Sequence, residues 1–452
     1  MDGERSGQDG TLHASGVGAC LHRAPIQFDQ DELVRLTLDL CNIESPAGHE
    51  AEVGDFIFEW MRKEDFAPRK IGMFPDRFNV LGTLPGAGDG YSLIFNSHMD
   101  TGRSKADRWS IRAPDARINH AAWRDGDTLH GEGVVNDKGP MAAFLIAAKA
   151  VKASGIPLRG DLLLSAVPGE IGYEAVDEFE SPQYLSKEVG TRYLIQHGGV
   201  ADFALVAEGT DFRYAAIEAG KAFFKITIHG ADQFYTPFVP DAEIDAAHPN
   251  AIVRAALFVP KLQAWARQYE RRFVYRSKDG TIVPKAMIGA IRGGNPYHVT
   301  RTSELCALYL DCRLTPESDP LALRRELTEL LASCDQSGTV ELFLYRRSYG
   351  AGDTTILLDG LRGAHCATIG GELEIAAPVF SSMWRDVLIF NEMGIPSITY
   401  GPPRSFRQQA MKIADLARAA EVYARLAIDV CTREKPIAAR RGDAATDNTK
   451  AT

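Results

Sequence analysis

His98, Asp137 and Glu208 are the side chains best suited to hold a divalent cation in this sequence, with Glu170 a fourth acidic candidate. The run 91–101, Tyr-Ser-Leu-Ile-Phe-Asn-Ser-His-Met-Asp-Thr, reads as a buried parallel strand that delivers His98 and Asp100 at its C-terminal end. Residues two apart on an extended chain share a side, so Asp100 is expected to hydrogen-bond the imidazole while the other ring nitrogen faces a metal. Glycines at 131 and 133 let the chain turn tightly into Asp137, just ahead of the apolar helical stretch 141–150. Glu170 and Glu208 each follow an apolar strand-like run, at 161–168 and 202–207.

Each of these contexts has an ordinary alternative. A lone His-x-Asp is common, Asp137 taken alone reads more readily as an N-cap than as a ligand, and loop glutamates are mostly solvated. Four successive units that each bring His, Asp or Glu to one sheet edge favour a metal site in the crevice outside the strand ends. Mixed N/O donors suit one divalent transition metal, namely zinc, manganese, cobalt or iron.

From 29 the pattern is a helix followed by alternating strands and helices to Glu208, the signature of an α/β domain with a mostly parallel sheet. Then come strand 222–228, helix 251–271, strand 282–291, strand 305–312, helix 320–332 and strand 339–345. That β-α-β-β-α-β order predicts a ferredoxin-like insert. The expected division is a catalytic domain over 26–212 and 347–435, an insert over 213–346, and disordered tails at 1–25 and 436–452.

The sequence resembles the zinc aminoacylase and carboxypeptidase metallohydrolases, the family of acetylornithine deacetylase, succinyl-diaminopimelate desuccinylase and glutamate carboxypeptidase. The resemblance runs from Asp29 to Cys431. It rests on the His-x-Asp strand, Gly-x-Gly-x-x-x-Asp-Lys-Gly at 131–139, Glu-x-Gly at 170–172, Ile-Arg-Gly-Gly at 291–294, the strand 394–402 and the closing helix 415–423. It implies a two-metal centre bridged by Asp137, one ion on His98 and Glu208, the other on Glu170 and a histidine after the Gly-Pro loop.

Three departures change that expectation. The last histidine is His365, so the loop 401–409 supplies none, and Ser405 stands in its register. Gly169 replaces the glutamate that serves the family as general base, and Phe234 replaces a lid histidine. The expected centre therefore holds one metal on His98, Asp137 and Glu208, while Glu170, left without a cation, becomes the base toward water. The altered pattern is similar to that of family members that replace an aromatic amino group with hydroxyl. The expected reaction is then 5-nitroanthranilate to 5-nitrosalicylate and ammonia, in which the ring takes up negative charge. The alternatives are a dipeptidase or N-acyl amino acid deacylase, and a catalytically inactive binding protein on the same fold.

Arg385 or Arg404, with Arg407 as a rival, would clamp a substrate carboxylate, although each reads equally as a surface ion pair. His298 stands where the family carries a residue that reaches a neighbouring active site, so it joins Glu170 and Asp100 in the expected catalytic set. Tyr235 is a further substrate-binding candidate. The family's use of the insert to pair subunits implies a homodimer or larger homo-oligomer.

A formal net charge of -10 without a basic run argues against nucleic-acid binding. No stretch approaches the ~20 apolar residues of a membrane span. Small molecules are the expected partners. The seven cysteines include no Cys-x-x-Cys pair and are expected as reduced thiols of a cytoplasmic protein, as is the polar 1–25 segment, which has no apolar leader core.

Overall fold

The computed structural model describes residues 26–102, 117–119, 121–234, 242–405 and 408–436. Helices α1 (Gln30–Asn42) and α2 (Ala51–Lys63) open the chain, followed by strands β1 (Arg69–Phe74), β2 (Arg77–Leu84) and β3 (Leu93–His98). Short strands β4 (Trp123–Asp125) and β5 (Thr128–His130) precede helix α3 (Lys138–Ala153), β6 (Leu162–Val167), β7 (Phe203–Val206) and β8 (Tyr214–Ala215). The insert carries β9 (Gly220–His229), β10 (Tyr275–Ser277), β11 (Gly280–Ile282), β12 (Ala286–Gly293), β13 (Leu305–Leu314) and β14 (Gly338–Arg346), and the chain closes with β15 (Ser397–Tyr400), β16 (Ala410–Lys412) and the helix Ile413–Thr432.

The main sheet has the order β1-β2-β6-β3-β7-β15-β8. Its centre, β6-β3-β7-β15, is parallel, and its outer pairings are antiparallel. Both faces are covered, as a parallel centre requires. Along β3, Leu93 and Phe95 pack toward α3 and the helix Ile413–Thr432, while Ile94 packs toward Leu388, Ile389 and Phe390. This alternation buries every residue of β3 and fixes its register, so His98 is carried to the C-terminal rim with no freedom to slip.

The insert sheet runs β12-β13-β9-β14 with every pairing antiparallel, the ferredoxin-like arrangement. Its helices Ala251–Arg272 and Pro320–Ser333 pack on one face through Phe258, Leu262, Leu327 and Leu331, and each begins with a side-chain cap, Asn250 and Asp319. The expected strand 282–291 is interrupted. Pro284 has no N–H to donate, and the chain divides there into β11, which forms a hairpin with β10, and β12. β8 pairs with β15, so it belongs to the main sheet, and the insert's own sheet begins at Gly220.

Candidate metal centre and active site

His98 ends β3 wholly buried. Its Nδ1 lies 2.9 Å from the backbone carbonyl of Asp100 and 3.5 Å from the Asp100 carboxylate. The nearer carbonyl takes the shorter hydrogen bond, and the Asp100 carboxylate adds the expected support at longer range. The Asp100 carboxylate also accepts from the backbone N–H groups of Glu170 (3.0 Å) and Ile171 (2.8 Å). Asp100 is thus a positioning residue that fixes the Glu170 turn against β3. With Nδ1 donating to a carbonyl, Nε2 is the ring atom left facing the site, and it has no hydrogen-bond partner.

Asp137 stands at the N-cap of α3, yet its side chain makes no capping bond. Ser97 donates to Oδ2, and Oδ1 is buried without a partner. The capping alternative is therefore not what the carboxylate does. Unlike its companions, Asp137 reaches the rim from the small β16-β5-β4 sheet rather than from a strand of the main sheet. Glu208, just after β7, has a bare Oε1, while its Oε2 lies 3.3 Å from Arg404 and 3.5 Å from Arg385.

The bare atoms belong to His98, Asp137 and Glu208, whereas the tightest grouping of ligand atoms, all within 4.8 Å, is His98, Glu170 and Glu208. The two sets differ in one carboxylate. Glu170 already has a bonded cation, since Lys187 Nζ bonds its Oε1, whereas Asp137 Oδ1 has no hydrogen-bond partner and no ammonium or guanidinium is bonded to Asp137 among the described residues. The bare set is the one whose inward atoms Asp137 Oδ1, Glu208 Oε1 and His98 Nε2 have no hydrogen-bond partner, and a buried unsatisfied carboxylate oxygen is costly. The electrostatics agree. Burial and the Glu208 charge push the Asp137 carboxyl well above the usual range, and burial and the Glu170 charge raise Glu208. Burial would lower His98, but the Asp100, Glu170 and Asp137 carboxylates hold it well above the ordinary imidazole value. Three groups that retain protons in this way share a place built for a cation, and their N/O donor set fits a divalent transition metal.

Glu170 was expected to have no cation, and this is corrected by Lys187, a residue that nothing in the sequence singles out. Burial would raise Glu170, but the Lys187 and His98 charges lower it, so it is held ionised, with Oε2 free 3.8 Å from His98 Nε2. The strap that brings Lys187 also explains Gly169. Gly169 has φ +73°, and a Cβ there would lie 2.8 Å from the Ser186 carbonyl oxygen. No glutamate fits at 169 while the strap is in place.

Glu170 and Glu208 border a cavity of about 640 Å³ lined on the insert side by Lys285, Met287, Asp311 and Arg313. Arg385 lines it with Nε and Nη1 buried and free of hydrogen bonds, 3.5 Å from Glu208 and from Glu218 respectively, while Nη2 donates to the Phe380 carbonyl. Burial pushes the Glu218 carboxyl up to about 8, so it is neutral at pH 7 and leaves the guanidinium charge uncancelled. A substrate carboxylate is the natural acceptor for that fork. We expect Arg385→Ala to raise KM roughly 100-fold, within the ~2–5 kcal/mol typical of removing one partner of a buried charge pair, with kcat changed much less. Steady-state kinetics on protein of unchanged circular dichroism checks this.

Arg404 also lines the cavity. His298 does not: it is exposed on the loop between β12 and β13. Tyr235 and Arg407 lie outside the described residues, as do residues 1–25. Ser405 accepts from the Gln408 N–H, and Phe234 is exposed and bridged to Arg301. The expectation of seven reduced cysteines is corrected: Cys41, Cys306, Cys312, Cys334 and Cys431 are free, but Cys366 is disulfide-bonded.

Residues 94–429 match the model of peptidase family M20/M25/M40. The chain belongs to this family. The M20 chain is 31% identical over 192 residues to the N-formyl-4-amino-5-aminomethyl-2-methylpyrimidine deformylase of Bacillus subtilis, and that match covers 41% of this chain and 40% of the relative. It is similar in fold to the M20 family metallo-carboxypeptidase Sso-CP2 of Sulfolobus solfataricus, with TM-score 0.64, 13% identity, and coverage of 89% of this chain and 99% of the other. It is also similar to a dinuclear metal-binding M20 peptidase of Bacillus subtilis, with TM-score 0.58, 15% identity, and coverage of 89% and 98%. The matched family is the metallohydrolase group to which the motifs pointed, and its fold is the α/β domain with an insert described above. Among the described residues no helix is long and apolar enough to cross a membrane.

Proposed function

We propose that this M20 chain is a metal-dependent aminohydrolase acting on a small aromatic amine that bears a carboxylate, of which 5-nitroanthranilate is the test case. The observation that carries this reading is the convergence of three bare atoms, His98 Nε2, Asp137 Oδ1 and Glu208 Oε1, beside a cavity lined by Arg385, whose Nε and Nη1 make no hydrogen bond. His98, Asp137 and Glu208 would hold one divalent ion, which when bound supplies Lewis acidity and lowers the pKa of water toward ~7.

Arg385, helped by Arg404, binds the substrate carboxylate and sets the ring carbon over the centre. Glu170 Oε2 takes a proton from the attacking water and returns it to the departing nitrogen. The new C–O bond thus replaces the C–N bond, and ammonia leaves with the proton. Lys187 and the Asp100 carboxylate keep Glu170 aimed while this happens. No glutamate at 169 is needed in this scheme.

A second reading, hydrolysis of an N-acyl or peptide bond, is favoured by the 31% identity to a pyrimidine deformylase. The experiment that separates them is ammonia release from 5-nitroanthranilate by manganese-loaded protein, run beside N-formyl aryl amines and dipeptides. Ammonia in step with phenol formation supports the aminohydrolase. Formate or amino acid release alone moves the reading to amide hydrolysis.

Glu218 gives a pH dependence. It is neutral below about 8 and ionises above it, and its negative charge then competes with the substrate carboxylate for Arg385. KM is expected to rise as pH increases through that value, and Glu218→Gln should flatten the rise; KM measured from pH 7 to 9.5 checks both.

We also propose a homodimer, supported by β12 as an edge strand of the insert sheet with Met287 and Ile291 exposed on it. His298 follows that strand and is exposed, the placement that a residue acting in a partner's site requires. Cytoplasmic location remains part of the same proposal.

A further inference from the structure

The Lys187 side chain is wholly buried, and its ammonium bonds Glu170 Oε1 and lies 3.2 Å from Asp386 Oδ1. It also sits 4.2 Å from the centre of the Trp384 ring, so the donors not used by carboxylates face a π cloud. Asp386 is itself held by Thr191 Oγ1 (2.7 Å) and Asn96 Nδ2 (3.1 Å), both buried.

The strap that delivers Lys187 is equally fixed. Buried Arg77 forms a fork to Glu50 (2.7 and 3.0 Å) and donates to the carbonyls of Pro182 and Leu185, at 2.7 Å each. Asn79 Nδ2 donates to the Val189 carbonyl at 3.0 Å, and Ser186 Oγ to that of Gly169 at 3.1 Å. A surface lysine folded inward by chance would not be framed on both sides in this way.

We infer that the Lys187 ammonium is a permanent cation serving Glu170 in place of a second metal ion, so that this centre takes one divalent ion per chain. The inference rests on the reading that His98, Asp137 and Glu208 hold that ion, and it gives Glu170 a different partner. One oxygen of Glu170 is occupied by the ammonium, and a second divalent ion beside it would face an unscreened positive charge in a dry interior. An M20 peptidase of the same fold is dinuclear, so the fold itself does not forbid two ions. Lys187 is the feature of this chain that would.

The test is manganese content by mass spectrometry after loading and desalting, with electron paramagnetic resonance of the same samples. Wild type is expected to hold one manganese per chain with an isolated six-line spectrum. Lys187→Gln, which removes the charge and keeps an amide donor on a side chain one atom shorter, should admit a second manganese and show an exchange-coupled spectrum, and Lys187→Arg should stay at one. Lys187→Met serves as a second neutral variant should the glutamine protein not fold. Two ions in wild type overturn the inference, as does a single ion in the folded neutral variant at every manganese concentration. A wild type that takes no ion would instead refute the metal-centre reading beneath it. None of these counts depends on finding the substrate.

Discussion

Replacing Glu170 by glutamine is expected to lower kcat by about 10²–10⁴-fold, the range for losing a general base, while metal content stays at the wild-type value. The amide keeps the size of the carboxylate and still accepts from Lys187, so neither the strap nor the Asp100 contacts to the 170–171 backbone should move. What it loses is the capacity of Oε2, 3.8 Å from His98 Nε2, to receive a proton. A parallel loss of metal and turnover would return Glu170 to the ligand set with His98 and Glu208, the grouping that distance alone favours. Metal analysis beside steady-state rates decides between the two.

His98→Ala should empty the centre. His98 is the single nitrogen donor of the bare set, and it ends a central strand, β3, whose every residue is buried. Its removal is expected to weaken metal binding by more than the ~10–100-fold typical of outer-sphere changes and to bring turnover to background. Asp100→Asn offers the contrast. The backbone carbonyl that holds His98 Nδ1 is unchanged, so metal affinity should fall far less than in His98→Ala. Isothermal titration with manganese measures both.

The strands that carry the site were legible because each is a short apolar run ending in a polar residue. Run 91–98 became β3 with His98 at its end, and run 202–207 became β7 with Glu208 just beyond. The insert was legible from its order of elements, apart from the break at Pro284, where a missing N–H outweighs an otherwise continuous β pattern.

The partners within the site were much less legible. Asp100 shares a side with His98, but spacing does not say whether a carbonyl or a carboxylate comes nearer. Lys187 meets Glu170 only because Arg77, far away in the sequence, ties down the carbonyls of 182 and 185. A lysine followed by a glutamate in a polar stretch carries no mark of such burial. Gly169 read as a lost catalytic glutamate, yet in three dimensions it makes room for that same strap. Loss and gain are one rearrangement, which sequence presents as two unrelated positions. Arg385 was singled out as a carboxylate clamp, but its availability depends on the neutrality of Glu218, set by its burial.

The measurement that tests the central claim most directly is anomalous scattering at the manganese edge from crystals of the loaded protein. We predict one peak per chain, in contact with His98 Nε2, Asp137 Oδ1 and Glu208 Oε1, with Glu170 still paired to Lys187. A peak held by Glu170 with Asp137 outside its reach, or two peaks sharing Asp137, would contradict the account.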